Sequence, residues 1–179
     1  WEDLAARYQA ELANGFGNLA SRTIAMIDRY FDGVVPAPAD DTEADLRIQK
    51  TVADAAQAAD AAMERFRIDE AIAAVWTIVE ALNQYITENE PWALAKDEAQ
   101  RARLGTVLYT AAEGLRALAV LLSPVMPVAT EKLWTALGAT EHLGALLAQP
   151  VREAGTWGAL RPGASIQALT PLFPRVEQA

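Results

Sequence analysis

Apolar residues recur at steps of three and four along most of the chain, which is the spacing of one face of an α-helix. The clearest stripe consists of Ile68, Ile72, Val75, Val79, Leu82 and Ile86. Five helices are predicted in this way, over residues 1–31, 43–66 and 68–89, over a segment that ends at Ser123, and over 124–137. Because no segment alternates at a period of two, the predicted fold class is all-α, a five-helix bundle without a sheet.

Capping residues and prolines predict where these helices begin. Thr42 and Asp45 have the spacing of a capping box at the start of the second helix. Pro91 suits the first position of a short helical turn over 92–96, where its missing N–H costs nothing. Ser123 is predicted to cap the last helix, which would then begin at Pro124.

The helical pattern fails after residue 140. Residues that interrupt regular structure are frequent from there on, at Gly144, Pro150, Gly155, Gly158, Pro162, Gly163, Pro171 and Pro174. We therefore predict two parts, a helical bundle over 1–140 and an irregular C-terminal tail over 141–179 that lies across the bundle.

Composition excludes several classes of protein. The chain of 179 residues has no Cys and a single His, His142, so disulfide frameworks, Cys-based zinc sites and Cys/His catalysis are excluded. It has no glycine-rich phosphate loop and no nucleophile elbow, and we expect no metal, cofactor or catalytic residue in it. The net charge of −9 argues against sequence-blind coating of nucleic acid but allows local reading of a few bases.

The expected compartment is the cytoplasm. No apolar run approaches the roughly 20 residues that a membrane-spanning helix needs, so no membrane partner is expected. The chain begins with Trp1 and lacks the basic and apolar start of a signal peptide, which is typical of a piece of a longer protein.

A row of polar side chains follows the first predicted helix. Asn14, Asn18 and Arg22 lie four residues apart, on a line that faces away from the apolar stripe. Gly15 and Gly17 cost helix stability, about 1 kcal/mol each, which predicts that another segment, such as a neighbouring helix, approaches the backbone there. Composition alone favours an ordinary solvated face for Asn18 and Arg22, because outward polar groups are the norm.

Trp92 follows Pro91 on the short turn between two helices. A Trp in such a place belongs to a core more often than to a binding site. With one face open, its ring would stack on an unpaired base, while nearby Asn and Arg groups hydrogen-bond to base edges. Trp76, which flanks the strong stripe of the third helix, is predicted to be core.

Five stretches occur in the order in which a known family has them: Asn18–Arg22, Tyr30–Gly33, Asn89–Trp92 with Ala95 and Lys96, Leu122–Pro127, and Leu172–Arg175. On these stretches the sequence resembles the C-terminal anticodon-binding domain of bacterial methionyl-tRNA synthetase, a class I family. The proline-rich entry to the last helix, with Glu131–Trp134, is shared with related synthetases for Ile, Val, Leu and Cys. Asn18 and Arg22 with Pro91 and Trp92 are the narrower signal.

The resemblance implies a partner and a set of contact residues. In that family, the residues that match Asn18, Arg22 and Trp92 contact the methionine anticodon CAU, and the Trp ring stacks on an anticodon base. The implied partner is therefore the methionine tRNA, and these three residues are the implied anticodon-binding site. Thr87 stands where members of the family often have an acidic residue.

The resemblance also implies an upstream catalytic domain that handles methionine and ATP with Mg. Neither its HIGH-like nor its KMSKS-like motif occurs in this chain, which is expected to be inactive by itself and to act within a methionine–tRNA ligase. The tail is expected to pack on the bundle or to return toward that domain, so an intramolecular contact with it is a further expected interaction.

Two alternatives remain open at this point. The first is the equivalent domain of another class I synthetase, of the isoleucyl or valyl type. The second is a non-catalytic helical adaptor that binds protein partners, in which Asn18 and Arg22 are merely solvated and Trp92 is buried.

Overall fold

Seven helices make up most of the molecule, whose computed structural model describes residues 6–174. The first, α1, is π-helical over Tyr8–Gly17 and α-helical over Asn18–Phe31. The others are α2 (Glu43–Glu64), α3 (Ile68–Asn89), α4 (Pro91–Leu94), α5 (Arg101–Leu122), α6 (Pro127–Ala136) and α7 (Ala139–Leu143). No strand forms in the described residues, where Val34 and Ser165 make an isolated bridge. The all-α prediction is confirmed. The short turn predicted at Pro91 forms α4, which ends at Leu94, and α7 is added to the five longer helices.

Some residues used in the sequence analysis lie outside the described range. They are Trp1, at the start of the first predicted helix, and Arg175, at the end of the last stretch of resemblance. The described part of the predicted tail is therefore 141–174.

Helix α2 begins where the capping box predicts. The backbone N–H and the hydroxyl of Thr42 both donate to Asp45 Oδ2, each at 2.7 Å. Thr42 is the N-cap residue and Glu43 the first residue of the helix. The first of these bonds satisfies the N-cap N–H, which has no partner within the helix, so the prediction of the start of α2 is confirmed.

The apolar stripe of α3 is buried only from its second turn onward. Val75, Val79, Leu82 and Ile86 are buried, whereas Ile68 and Ile72, at the α2–α3 turn, are 53% and 38% exposed. The stripe was therefore predicted too long, because in the described residues no other element covers the tip of this helical hairpin.

Trp76 packs against the core but is less buried than predicted. Its ring is only partly buried and meets the ring of Phe16 edge-on, with the centroids 6.4 Å apart. Among the Trp residues that the structure describes, the fully buried one is Trp134, on α6. Periodicity identifies a face of a helix, but how deeply that face is covered depends on which elements pack over it.

Helix α5 is the centre of the bundle. Every residue from Leu104 to Leu122 is buried. This helix is therefore buried on all sides, and not only along one apolar face. The helical stretch Glu98–Leu122 is long enough, and over one window of 18 residues apolar enough, to cross a membrane, contrary to the expectation that no run is. Its apolar window is fully buried within the molecule, which accounts for its composition.

Helix α6 begins later than predicted. The hydroxyl of Ser123 donates to the carbonyl oxygen of Val120, at 2.9 Å, and so caps no following helix. The next helix starts at Pro127, with Met126 as its N-cap residue, so the predicted start at Pro124 is wrong. Pro124 and Pro127 are both suited to the first position of a helix. Pro124 lies in the turn after α5, so the helix begins at Pro127.

The described part of the tail packs on the bundle. Leu146, Leu160 and Leu172 are buried against it. The Trp134 indole N–H donates to the carbonyl oxygen of Gly144, and the Tyr109 hydroxyl donates to that of Leu160, both at 2.9 Å. Side chains of α5 and α6 thus satisfy the irregular backbone of the tail, which has no ladder of its own.

Candidate nucleic-acid interface

The structure brings Arg22 of α1 against Trp92 of α4. The guanidinium carbon of Arg22 lies 5.5 Å from the centroid of the Trp92 ring, within the range of a cation–π contact. Arg22 is half-buried, whereas Trp92 is 37% exposed. An aromatic surface therefore stands open to solvent beside a planar cation.

Asn18 lies one helical turn before Arg22. It is exposed, and it is the first residue of the α-helical part of α1. It lines a cleft of about 710 Å³, together with Asn14, Ser21 and the tail residues 171–174. Its amide, which can both donate and accept hydrogen bonds, thus faces open space between α1 and the tail.

The change of helix type affects the predicted polar row. In a π-helix the backbone hydrogen bonds connect residues that are five apart. At that spacing the side-chain nitrogen of Gln9 donates to the side-chain oxygen of Asn14, at 3.5 Å. Only Asn18 and Arg22 belong to the α-helical part of α1. The four-residue row therefore describes these two residues, and Asn14 reaches the cleft from the π-helical turn before them.

The glycines of α1 are approached from two directions. A Cβ on Gly17 would stand 3.2 Å from Cδ2 of Phe173, so at this position the close neighbour is the tail and not a helix. The carbonyl oxygen of Gly15 accepts a hydrogen bond from the Asn83 amide of α3, at 3.5 Å. The expectation of a close approach is confirmed at Gly17 but not at Gly15, where a Cβ would meet no other segment within 4 Å.

Trp92 is placed by an unusual turn after α3. Asn89 is the last residue of that helix, and Glu90 adopts φ 42° and ψ 60°, a left-handed conformation that residues with a side chain rarely adopt. Pro91 is buried and begins α4. The turn directs the chain so that Trp92 emerges beside α1.

A buried polar network lies under this turn. Arg103 of α5 donates to the carboxylate of Asp45 and, at 2.6 Å, to the side-chain oxygen of Asn89. The Tyr85 hydroxyl also donates to Asp45. Burial raises the pKa of Asp45, but the hydrogen bonds from Arg103, Tyr85 and Thr42 outweigh it and hold that pKa below its usual value. Asp45 is therefore a buried carboxylate whose negative charge is compensated by the Arg103 guanidinium.

Burial and the neighbouring carboxylate act together on Tyr85. Both raise the pKa of its phenol, because each disfavours the phenolate. The raised pKa keeps the Tyr85 hydroxyl protonated, so it donates to the ionised Asp45 carboxylate.

Sequence reasoning missed Arg103 and the role of Asn89. Asn89 entered it only as part of a resembling stretch, and Asp45 only as a capping residue. Arg103 lies near the start of an apolar helix, where the sequence alone favours an exposed, solvated side chain. Its partners come from α2 and α3, which no short-range spacing connects to it.

Other candidates occupy less specific settings. The hydroxyl of Thr87 donates to the carbonyl oxygen of Asn83, at 2.9 Å. His142 is exposed in the short helix α7, between Gly138 and Gly144. Within residues 6–174, no group of three or more His, Asp or Glu side chains is arranged to hold a metal ion.

Comparison with known proteins gives concordant results. Residues 45–163 match the family described as the anticodon-binding domain of tRNA ligase. A methionine–tRNA ligase of Streptomyces coelicolor is 49% identical over 181 residues, which cover 99% of this chain and 34% of that protein. One from Caldanaerobacter subterraneus is 40% identical and covers 98% of this chain and 27% of that protein.

Solved structures agree with the sequence relatives. The crystal structure of apo Mycobacterium tuberculosis methionyl-tRNA synthetase has a TM-score of 0.89 and 30% identity, and the match covers 99% of this chain and 35% of that one. The same enzyme bound by methionyl-adenylate has a TM-score of 0.84, with 97% and 33% covered. This chain thus spans about a quarter to a third of the length of the proteins it resembles. It belongs to the family of anticodon-binding domains of tRNA ligases and, as its sequence motifs indicate, is similar to that domain of the methionine enzymes just described.

Proposed function

We propose that this chain reads the CAU anticodon of the methionine tRNA, as part of a methionine–tRNA ligase. The observation that carries the proposal is the contact between Arg22 and Trp92, with the exposed Asn18 one turn away. Proteins read unpaired RNA bases by stacking on aromatic rings and by hydrogen bonds to base edges, and an open aromatic face, a guanidinium and an amide can make both kinds of contact.

Each residue has a distinct role in this proposal. The open part of the Trp92 ring stacks on an unpaired anticodon base, a contact worth about 1–3 kcal/mol per base. Arg22, already held against the ring, presents N–H donors to a base edge, and Asn18 supplies both a donor and an acceptor. Stacking provides affinity with little selectivity, so the polar groups provide the discrimination between anticodons.

The acidic charge of the chain is consistent with this division of labour. With a net charge of −9, the domain does not attract RNA through a general field. It recognises a few splayed bases, while phosphate contacts come from the remainder of the ligase. That remainder also holds methionine and ATP with Mg, and it contacts this domain within one chain. The proposed compartment is the cytoplasm, with no membrane partner.

The alternatives are less well supported. An adaptor that binds only proteins was expected to bury Trp92, yet this ring is 37% exposed and shares its setting with Arg22. A domain of the isoleucyl or valyl type would share the bundle, but the relatives described above are methionine–tRNA ligases.

Binding of RNA hairpins tests the proposal directly. One hairpin carries CAU in its loop, and a second has one anticodon base changed. Trp92→Ala should weaken binding of the CAU hairpin about 5- to 150-fold, by loss of one stacking contact. Arg22→Ala should weaken it as well and should narrow the preference for CAU over the changed loop, because it removes a base-edge contact.

Two matched controls are available in the chain. Phe66 is an aromatic residue that is 90% exposed at the α2–α3 turn. Arg29 lies on α1 with its guanidinium 5.6 Å from the Tyr30 ring, the same kind of pair as Arg22 and Trp92. Phe66→Ala and Arg29→Ala should leave both affinities unchanged. If Trp92→Ala and Arg22→Ala bind both hairpins as the wild type does, the anticodon-reading role of these residues is refuted.

In the parent ligase, the same substitutions should lower tRNA charging and leave methionyl-adenylate formation unchanged, since that step needs no tRNA. Charging and adenylate formation are measured on the same preparations. A parallel loss of both would indicate damage to the enzyme and not to anticodon reading.

A further inference from the structure

The side chain of Arg103 connects the core of the bundle to the turn that carries Trp92. One guanidinium nitrogen, Nη1, donates to the Asp45 carboxylate, and the other, Nη2, donates to Asn89 Oδ1 at 2.6 Å. The Arg103 side chain is 20% exposed and that of Asp45 is fully buried. The Arg103 guanidinium is therefore anchored through Nη1 to a buried carboxylate, and through Nη2 it binds the last residue of α3.

Asn89 is held at both ends of its amide. Its oxygen accepts from Arg103, and its nitrogen donates to the carbonyl oxygen of Tyr85 at 2.9 Å. Asn89 thus closes the C-terminal turn of α3 immediately before the left-handed residue Glu90. A residue with a Cβ holds that conformation only when its surroundings impose it.

Between this anchor and the Trp92 ring there is little freedom. Pro91 is buried and has a fixed φ, and Trp92 is the next residue. A change in the backbone angles at Glu90 would therefore move the ring relative to Arg22. The contact at 5.5 Å requires that this turn keep its geometry.

We propose that Arg103, acting through Asn89, is a positioning residue that holds Trp92 in the orientation required for base stacking. This inference rests on the proposed function for its biological meaning. Arginine is needed at this place because its rigid fork directs two donors to two acceptors at once, whereas a lysine would present a single point charge. Asp45 fixes the guanidinium, and Asn89 transmits its position to the turn.

The first test detects the ring itself and needs no RNA. The chain is labelled with 5-fluorotryptophan, and the Trp92 resonance is assigned by its loss in Trp92→Phe. Arg103→Lys and Asn89→Ala should shift the Trp92 ¹⁹F resonance and leave that of the buried Trp134 in place. Arg101→Lys is the matched control, because Arg101 lies on the same helix, is exposed and contacts the Phe31 ring instead.

The second test measures the affinity for the CAU hairpin. Arg103→Lys conserves net charge, so a loss of affinity does not come from weaker attraction to phosphates. We expect Arg103→Lys and Asn89→Ala to weaken binding severalfold, by less than Trp92→Ala does. The double variant Trp92→Ala/Arg103→Lys should bind like Trp92→Ala alone, because a residue that acts through the ring has no effect once the ring is gone.

The outcomes separate this inference from the proposed function. A Trp92 resonance that stays in place in both Arg103→Lys and Asn89→Ala overturns the positioning role. So does a loss of affinity that adds fully to that of Trp92→Ala, since this indicates a separate contact or general damage. If neither Trp92→Ala nor Arg22→Ala has an effect on binding, the proposed function fails, and the resonance alone then decides whether Arg103 positions the ring.

Discussion

Arg116 and Glu113 form an ion pair inside the molecule, with Arg116 Nε 2.9 Å from Glu113 Oε1 and the side chains 4% and 0% exposed. The carboxylate also accepts the backbone N–H groups of residues 158–160, at 2.8–3.0 Å. The guanidinium donates to the carbonyl oxygens of Ala154 and Thr156. The central helix is thereby joined to the tail by charge-assisted hydrogen bonds in a setting of low dielectric.

Removal of one member of this pair should strongly destabilise the fold. Arg116→Met leaves the Glu113 carboxylate buried without its cation, so we expect a loss of roughly 3–5 kcal/mol in the free energy of unfolding. Urea denaturation measures it. The control is Lys50→Met, which breaks an exposed pair with Asp54 and should cost less than about 1 kcal/mol. Similar losses for the two variants would show that burial of the pair adds nothing.

The stability of the protein should depend on the charge of Asp45. Its pKa in the folded state lies below the ordinary value, so ionisation stabilises the fold above about pH 4, and that contribution disappears as the pH falls through the folded-state value. Asp45→Asn should therefore be most destabilising near neutral pH, and its difference from the wild type should shrink as the pH falls below about 4.

Urea denaturation over this pH range tests the expectation. Asp54→Asn, at the exposed partner of Lys50, is the control and should show a small difference at every pH. A difference between Asp45→Asn and the wild type that stays constant down to about pH 2 would contradict a lowered pKa.

Gly138 should tolerate no side chain. Its φ is +68°, and a Cβ there would stand 2.2 Å from the carbonyl oxygen of Ser165 in the tail. Gly138→Ala must displace that backbone in addition to the strain of roughly 1–2 kcal/mol that positive φ imposes on alanine. Gly163→Ala, with φ +88° and no atom within 4 Å, should carry the strain alone. Thermal denaturation should rank Gly138→Ala clearly below Gly163→Ala, and equal midpoints would mean that the tail yields freely.

The tryptophans should differ in their contribution to stability according to burial. Trp134 is fully buried and its indole N–H is hydrogen-bonded, so Trp134→Ala should cost about 3–5 kcal/mol. Trp92→Ala should cost much less, because part of its ring is already in water, and the partly buried Trp76 should lie between them. Urea denaturation of the three variants checks the order. A loss at Trp92 equal to that at Trp134 would argue against an open stacking surface.

Much of the bundle was predictable because helices depend on local interactions. Apolar spacing identified the five longer helices, and Thr42 with Asp45 marked the start of α2 within a single turn. Asn18, Arg22 and Trp92 were found from residue type, spacing and resemblance. The same local rules failed where two positions were equally suitable as the start of a helix, as Pro124 and Pro127 were for α6.

The sequence by itself therefore determined the helical fold class and most helix boundaries, since each follows from neighbours within a few positions. Its resemblance to a known family supplied Asn18, Arg22 and Trp92 as candidate residues. Only the tertiary structure decided which charged residues are buried, as Arg103 and Glu113 are paired with segments far away in the chain. It also decided that Arg22 lies against Trp92 and that the tail covers α1. These contacts depend on how whole helices pack, a property that no local spacing encodes.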